Sequence, residues 1–300
     1  MFDSLYPTMQ WDAHRYHWPH ASHSRFIHAG GIQWHVQVCG QGPCLLLLHG
    51  TGSGSFSWRG LLPLLSPYFQ VIAPDLPGHV FTSRGAKDSL SLHGMGEGLR
   101  ALLLQMNLTP AVIAGHSAGA AIAAHMVLQQ ASLAQAHVVG LNPAWLQIPG
   151  MPSWIFGPAA KLAAINPISA WATAKLAGQP SLIAKSIAQT GSKLDEQGTA
   201  LYKTVFSHSG HVHSVLGMMA AWNLSELASR LPHINNKVSI LVGAEDRTVP
   251  PELAQKACQV LPQAQLYLQP GLGHLAHEED PHSTAALVMK VCGLTSTQNA

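Results

Sequence analysis

The stretch Ala111-Val112-Ile113-Ala114-Gly115-His116-Ser117-Ala118-Gly119 decides the reading of this chain. An apolar run leads straight into a G-x-S-x-G pentapeptide, and a run of small residues follows it. A serine so placed sits on a sharp strand-to-helix turn, with its hydroxyl projecting above a sheet edge. Gly115 and Gly119 carry no Cβ, which lets the strand and helix backbones approach closely. The pentapeptide alone is a moderate signal. It gains force if an acid and a histidine follow it in that order, and if backbone donors precede it.

The flanking sequence supplies a sheet for that turn. Residues 25–28 and 32–38 read as a β-hairpin around Gly30-Gly31. Residues 44–48 are apolar without a break, as expected of a strand buried on both faces. Residues 69–73, 111–114, 137–141, 238–242 and 265–268 read as further strands. Residues 58–65, 90–106, 118–130, 251–260 and 283–291 read as helices. The alternation predicts an α/β fold, a mostly parallel sheet of about eight strands flanked by helices. It fails from 146 to 207, where Pro, Trp, Ala and Ile are frequent and no strand is evident. That segment is expected to be a helical cap over the carboxyl edge of the sheet. Residues 1–145 and 208–300 are then the core, with 1–24 an N-terminal extension.

Composition narrows the function classes. Of 300 residues, 47% are hydrophobic and 10% charged, which describes a globular chain with a large core. A net charge of +2 without a dense Lys/Arg block gives no case for nucleic acid. The N-terminus lacks the apolar core of a signal peptide, and no apolar run is long enough to span a membrane. Peripheral membrane contact stays open. Four cysteines without a CxxC pair, three of them in apolar runs, point to a reducing, cytoplasmic setting.

A serine hydroxyl needs a base, and the base needs an acid to orient it. In the strand-turn-helix context the chain order is Ser, acid, His. No Asp or Glu occurs between Glu97 and Asp195, and the strand after the serine helix ends in Asn142-Pro143. The next strand ends in Gly243-Ala244-Glu245-Asp246, so Asp246 is the candidate acid and Glu245 the runner-up. The loop after the last strand holds Gly271-Leu272-Gly273-His274, making His274 the candidate base. Oxyanion donors should be backbone N–H groups at the same edge. Ala118 follows the serine, and Thr51 lies in His49-Gly50-Thr51-Gly52 after the strand at 44–48.

Each assignment has a blander alternative. Ser117 could cap its helix, Asp246 could cap a turn before Pro250-Pro251, and His274 is one of nineteen histidines. Their joint placement at strand ends favours the Ser117-Asp246-His274 site. The spaced His14, His17, His20 and His23, and the cluster His208, His211 and His213, have no cysteine or carboxylate spacing typical of a metal site. Neither a metal nor a cofactor is expected. His116 and His79 are read as shaping the pocket or bracing a loop. Gly50, His116, Trp145, Trp154, Phe156 and Trp171 are candidate substrate-binding residues. Lys161, Lys175, Lys185 and Lys193 punctuate the cap. Their bland reading is a solvated helix face, favoured for any one of them. The sharper reading is a pocket for a large, flat, apolar ligand with carboxylates at its rim.

The chain resembles the α/β-hydrolase superfamily across nearly its full length. It is more narrowly similar to the magnesium-chelatase accessory proteins of bacteriochlorophyll biosynthesis. The closer likeness rests on Trp34-His35-Val36-Gln37, Leu45 to Gly52, Ser57-Trp58-Arg59, Ala73 to His79, Gly115 to Ile122 and Gly140-Leu141-Asn142. It continues in Thr190-Gly191-Ser192, Met218 to Trp222 and Leu272 to Glu279. Val80 departs from it, since similar proteins usually have glycine there. The resemblance implies a role near magnesium insertion into protoporphyrin, with a porphyrin or porphyrin ester as the apolar ligand and magnesium chelatase as a partner. Two functions compete, beside a third in which the same scaffold runs another reaction such as carbon–carbon bond hydrolysis. One is a serine hydrolase acting on an ester or related acyl bond. The other is a tetrapyrrole-binding or chelatase-accessory protein with a vestigial triad. A carboxylate nucleophile, as epoxide hydrolases and haloalkane dehalogenases need, is absent where Ser117 stands.

Overall fold

The computed structural model describes residues 8–86, 88–147 and 179–294. Among these, eight strands form one sheet: β1 (Ser24–Ala29), β2 (Ile32–Cys39), β3 (Cys44–Leu48), β4 (Gln70–Pro74), β5 (Val112–His116), β6 (His137–Leu141), β7 (Val238–Gly243) and β8 (Ala264–Gln269). Their order is β1-β2-β4-β3-β5-β6-β7-β8. β2 runs antiparallel to both β1 and β4, and the remaining pairs are parallel. The α/β-hydrolase fold expected from the sequence is the fold observed.

The apolar runs become central strands because helices cover both faces. Every residue of β3, β5, β6 and β7 is buried. Side chains alternate between the faces along each strand. Leu46 and Leu48 pack with α3 (Leu92–Gln105) and α4 (Ala118–Gln129). Leu45 and Leu47 pack on the other side with α2 (Leu62–Leu65) and α11 (Pro281–Val291). Ser91 caps α3 by accepting from the Gly94 amide, and Asp280 caps α11 by accepting from Ser283.

Two elements differ from the sequence reading. The helix expected at 58–65 is divided into a 3₁₀ turn, Ser55–Trp58, and the short α2. Pro63 has no N–H to continue a helix and instead occupies the first turn of a new one. The strand expected to end at 114 runs on to His116, so Ser117 is the first residue beyond the sheet.

Among the described residues, no strand lies between β6 and β7. Helices occupy that interval: α5 (Pro180–Gln189), α6 (Glu196–Phe206), α7 (Ser209–Ala221) and α8 (Ser225–Arg230); α9 (Pro251–Val260) follows β7, and α10 (Ala276–Glu279) precedes α11. The chain at 8–24, including the short α1 (Trp11–His14), packs Met9 and Trp18 against Phe56, Phe81 and α6. No helix among the described residues is long and apolar enough to cross a membrane.

Candidate active site

Ser117 sits where β5 turns into α4, with φ of 51° and ψ of −115°. An L-residue is strained there, and the surroundings hold it. Its amide donates to Leu141 O at 3.0 Å, and its carbonyl accepts from the Ala120 and Ala144 amides. A Cβ built on Gly119 would collide with the Leu48 carbonyl, and one on Gly115 with the Ala120 amide. The pentapeptide glycines are therefore required by backbone approach.

The other candidates arrive at the same edge from β3, β7 and β8. Asp246 follows β7 and has a fully buried side chain. Its Oδ2 accepts from His274 Nδ1 at 2.8 Å and from Asn142 Nδ2 at 2.7 Å. Its Oδ1 accepts from the Thr248 and Val249 amides at 2.8 and 2.9 Å. Four donors thus surround one carboxylate. Glu245 is exposed. His274 follows β8, and it lines one cavity together with Ser117. Ala118 is the first residue of α4, so its N–H has no intrahelical acceptor, and the helix dipole adds positive character there.

The loop after β3 is held through its carbonyls and side chains. His49 Nδ1 donates to Gly50 O at 2.8 Å, and its Nε2 accepts from the Leu76 amide. His211 of α7 donates to Gly52 O at 3.2 Å and accepts from the Val80 amide. Burial holds His49 below the usual imidazole range and His211 down to about 4, so both work as neutral rings. Behind Ser117, His116 Nε2 donates to His274 O at 2.9 Å. Burial, then the His277 and His274 rings, push His116 well below 6.5. His277 is buried against Trp58 and His116, and burial takes it to about 3.

The cavity holds about 750 Å³ and mixes apolar walls with hydroxyls and amides. That volume lies within the ~300–1,000 Å³ common for small-molecule sites. Gly50, Thr51, His116, Ser117, Ala118 and His274 all face it. A Cβ on Gly50 would stand 2.9 Å from His116 Nδ1 and 3.2 Å from Ser117 Cβ, so glycine keeps this loop close to the serine. Trp145 does not belong with them. It is 1% exposed, packs in the core and donates its indole N–H to Ala120 O at 2.8 Å. Its candidacy for substrate binding is corrected to a core role. Trp154, Phe156 and Trp171 lie outside the described residues, as do Lys161 and Lys175. Lys185 and Lys193 are exposed, in line with the bland reading of the lysines.

Residues 45–287 match the alpha/beta hydrolase family. The chain belongs to that family. The magnesium-chelatase 30 kDa subunit of Rhodobacter capsulatus is 35% identical over 274 residues, covering 91% of this chain and 95% of that protein. A serine hydrolase involved in carbazole degradation shares the fold, with a TM-score of 0.73 at 19% identity over 90% of this chain and 98% of that one. A thermophilic esterase from Thermogutta terrifontis does so with a TM-score of 0.68 at 20% identity, covering 90% and 98%.

Several site residues of this alpha/beta hydrolase family member escaped the sequence reading as functional. Asn142 is one. Its place after β6 was visible, but its bond to Asp246 was not. Thr190-Gly191-Ser192 was noticed only as part of a likeness. Thr190 O accepts from the Arg247 and His274 amides at 3.1 and 3.3 Å, and Ser192 Oγ accepts from Leu275 N at 2.8 Å. This tripeptide therefore ties the helical insertion to both the acid loop and the histidine loop. Met218 to Trp222 likewise lines the cavity. Among the described residues, no group of three His, Cys, Asp or Glu side chains is placed to hold a metal ion.

Proposed function

We propose that this protein is a serine hydrolase that cleaves an ester or related acyl bond of an apolar substrate. One observation carries the reading: His274 donates from Nδ1 to the buried Asp246, and His274 and Ser117 line the same cavity. With Nδ1 protonated, Nε2 is the free base. His274 Nε2 takes the Ser117 hydroxyl proton as Oγ attacks the acyl carbon. The carbonyl electron pair moves to oxygen, where the Thr51 and Ala118 amides stabilise it. Collapse expels the alkoxide, which receives the proton from His274. Water, deprotonated by the same imidazole, then releases the acid and restores Ser117. Asp246 orients His274 and stabilises its charged form.

Residues 146–207, whose described part carries α5 and α6, act in this reading as the cap. Trp154, Phe156 and Trp171 are its proposed aromatic contributors. The full-length likeness to a magnesium-chelatase subunit supports a place in bacteriochlorophyll or magnesium-porphyrin synthesis, with a porphyrin ester as substrate and the chelatase as partner. Four free cysteines fit a cytoplasmic location. The same relative's name favours a second reading, in which the cavity binds a tetrapyrrole and Ser117 is idle.

The test is a fluorophosphonate probe on the purified full-length chain. The hydrolase reading expects one adduct at Ser117 by peptide mass spectrometry, absent from Ser117→Ala. A folded protein that takes no label refutes it. Porphyrin binding, seen as a Soret shift that survives Ser117→Ala alongside normal pigment in cells carrying that variant, supports the second reading.

A further inference from the structure

Behind the oxyanion loop runs a chain of polar groups that the proposed chemistry does not use. Ser53 follows that loop, is 3% exposed and lines the cavity. Its Oγ lies 3.2 Å from the hydroxyl of Tyr202 on α6, which also lines the cavity. Tyr202 donates to Glu278 Oε1 at 2.7 Å. Glu278 Oε2 accepts from Arg59 Nη1 at 2.5 Å, and Arg59 Nη2 reaches Asp195 at the N-cap of α6 at 2.8 Å. The Glu278 side chain is fully buried.

The donor inventory fixes the direction of this chain. An ionised carboxylate only accepts. Arg59 supplies the compensating charge beside it. Tyr202 has one hydroxyl proton, and it is directed at Glu278 as a hydrogen-bond donor. Burial, and then the Glu278 charge, push the Tyr202 hydroxyl well above its usual range, so the proton stays on that oxygen. The Ser53–Tyr202 bond must then use the Ser53 proton. Ser53 Oγ is left with lone pairs alone to offer the cavity.

We propose that Ser53, polarised by Tyr202, Glu278 and Arg59, is a hydrogen-bond acceptor station that selects substrates bearing an O–H or N–H donor. The proposal rests on the cavity being the substrate site, and it specifies a group that the substrate carries. A ligand that presents a carbonyl to Ser53 meets lone pairs. A ligand that presents only hydrocarbon leaves a buried acceptor unpaired. A single neutral hydrogen bond in such a site corresponds to roughly tenfold discrimination.

The experiment measures binding, so it does not depend on turnover. Ser117→Ala protein is titrated calorimetrically at pH 8.5 with the 4-nitrophenyl esters of hexanoate, 3-hydroxyhexanoate, 6-hydroxyhexanoate and 3-oxohexanoate. Burial raises the Glu278 carboxyl to about 7, so it is ionised at that pH. At least one hydroxy ester should bind about tenfold tighter than hexanoate, and the oxo ester more weakly than the hydroxy ester. Adding Tyr202→Phe frees the Ser53 proton. The hydroxy preference should then shrink towards one while the oxo ester gains, a reversal that general loosening of the cavity would not produce. Ser53→Ala should abolish both preferences. Equal affinity for the four esters, or an unchanged ranking in the Tyr202→Phe background, overturns the proposal. Failure of the fluorophosphonate label would instead refute the hydrolase reading and leave these ratios standing.

Discussion

Replacing Asp246 by asparagine exchanges one carboxylate oxygen for an NH₂ group and tests the site sharply. Both oxygens of Asp246 face donors: His274 Nδ1 and Asn142 Nδ2 on one, the Thr248 and Val249 amides on the other. An asparagine must turn its NH₂ towards one of these pairs. Turned towards Thr248 and Val249, it opposes two backbone N–H groups that cannot reorient, at about 1–3 kcal/mol for buried donors left unpaired. Turned towards His274, it is relieved if Asn142 flips its amide and His274 moves its proton to Nε2. Asn142 Oδ1 is buried and unpartnered, which makes that flip available. The second arrangement is the less costly one, and it removes the base, because a protonated Nε2 cannot accept from Ser117. The expected loss is about 10⁴ in rate, or roughly 5.5 kcal/mol of transition-state stabilisation, with only a small loss of stability. The assay is the second-order rate of fluorophosphonate labelling, beside hydrolysis of a 4-nitrophenyl ester. Circular dichroism confirms the fold. Glu245→Gln is the control, and its rate should be unchanged because Glu245 is exposed. Labelling of Asp246→Asn within tenfold of the unmodified chain would refute the assignment of the acid.

Three further outcomes are expected. Ser117→Gly should be more thermostable than Ser117→Ala, by about 1–3 kcal/mol, since both lack the hydroxyl but only glycine accepts φ of 51° without strain; equal melting temperatures would show that the turn stores no strain. Gly119→Ala should unfold the protein or displace the loop after β3, because its Cβ meets the Leu48 carbonyl rather than a movable side chain; native-like urea unfolding with full labelling would contradict the packing described. Stability should fall as the medium is acidified below pH 6.5. His211 and His277 are buried neutral, with folded values near 4 and 3, so the unfolded chain binds protons first and each ring costs about 1.4 kcal/mol per pH unit. Glu278 acts in the opposite sense between 7 and 4.5, because its raised carboxyl takes up a proton first in the folded state. The pair of histidines outweighs it by several kcal/mol at pH 4, which the urea midpoint measured from pH 6.5 to 4 should show as a steady decline, after a slight rise between 7 and 6.5 from Glu278 alone.

The contrast between Asp246 and Asn142 shows which kind of information a sequence carries. Asp246 was legible because the chain has so few acids that elimination worked, and because a strand end is a local property. Asn142 stood at an equally visible strand end. Its importance depends on a partner 104 residues away, and the register of β6 on β7 brings the two together. Trp145 failed for a related reason. A tryptophan after Asn-Pro can turn towards the cavity or into the core, and both choices bury an apolar ring. The choice belongs to β6 and α4: a Cβ on Gly140 would stand 2.9 Å from the indole, and the Ala120 carbonyl accepts the indole N–H. The glycine of Gly140-Leu141-Asn142 was therefore a signal about Trp145, but one that only the fold makes readable.

Val80 extends the same argument from packing to backbone. The sequence marked it as a departure where glycine was expected, and the structure gives it φ of 49°. A β-branched residue in the left-handed region costs about 1–2 kcal/mol. Its side chain is 1% exposed and packs with Phe56, Phe81 and α6, an amount of burial worth about 1.5–3 kcal/mol. Burial thus offsets the strain, and the two effects meet at one residue whose amide donates to His211 and whose carbonyl accepts from Met9. His211 in turn holds the Gly52 carbonyl. The valine therefore fastens the N-terminal segment, α6 and α7 to the loop that carries Thr51. Glycine would supply the same dihedral angle without the apolar contact. On this argument the substitution reflects the N-terminal segment and the helical insertion packing over the loop, and the left-handed turn itself is kept.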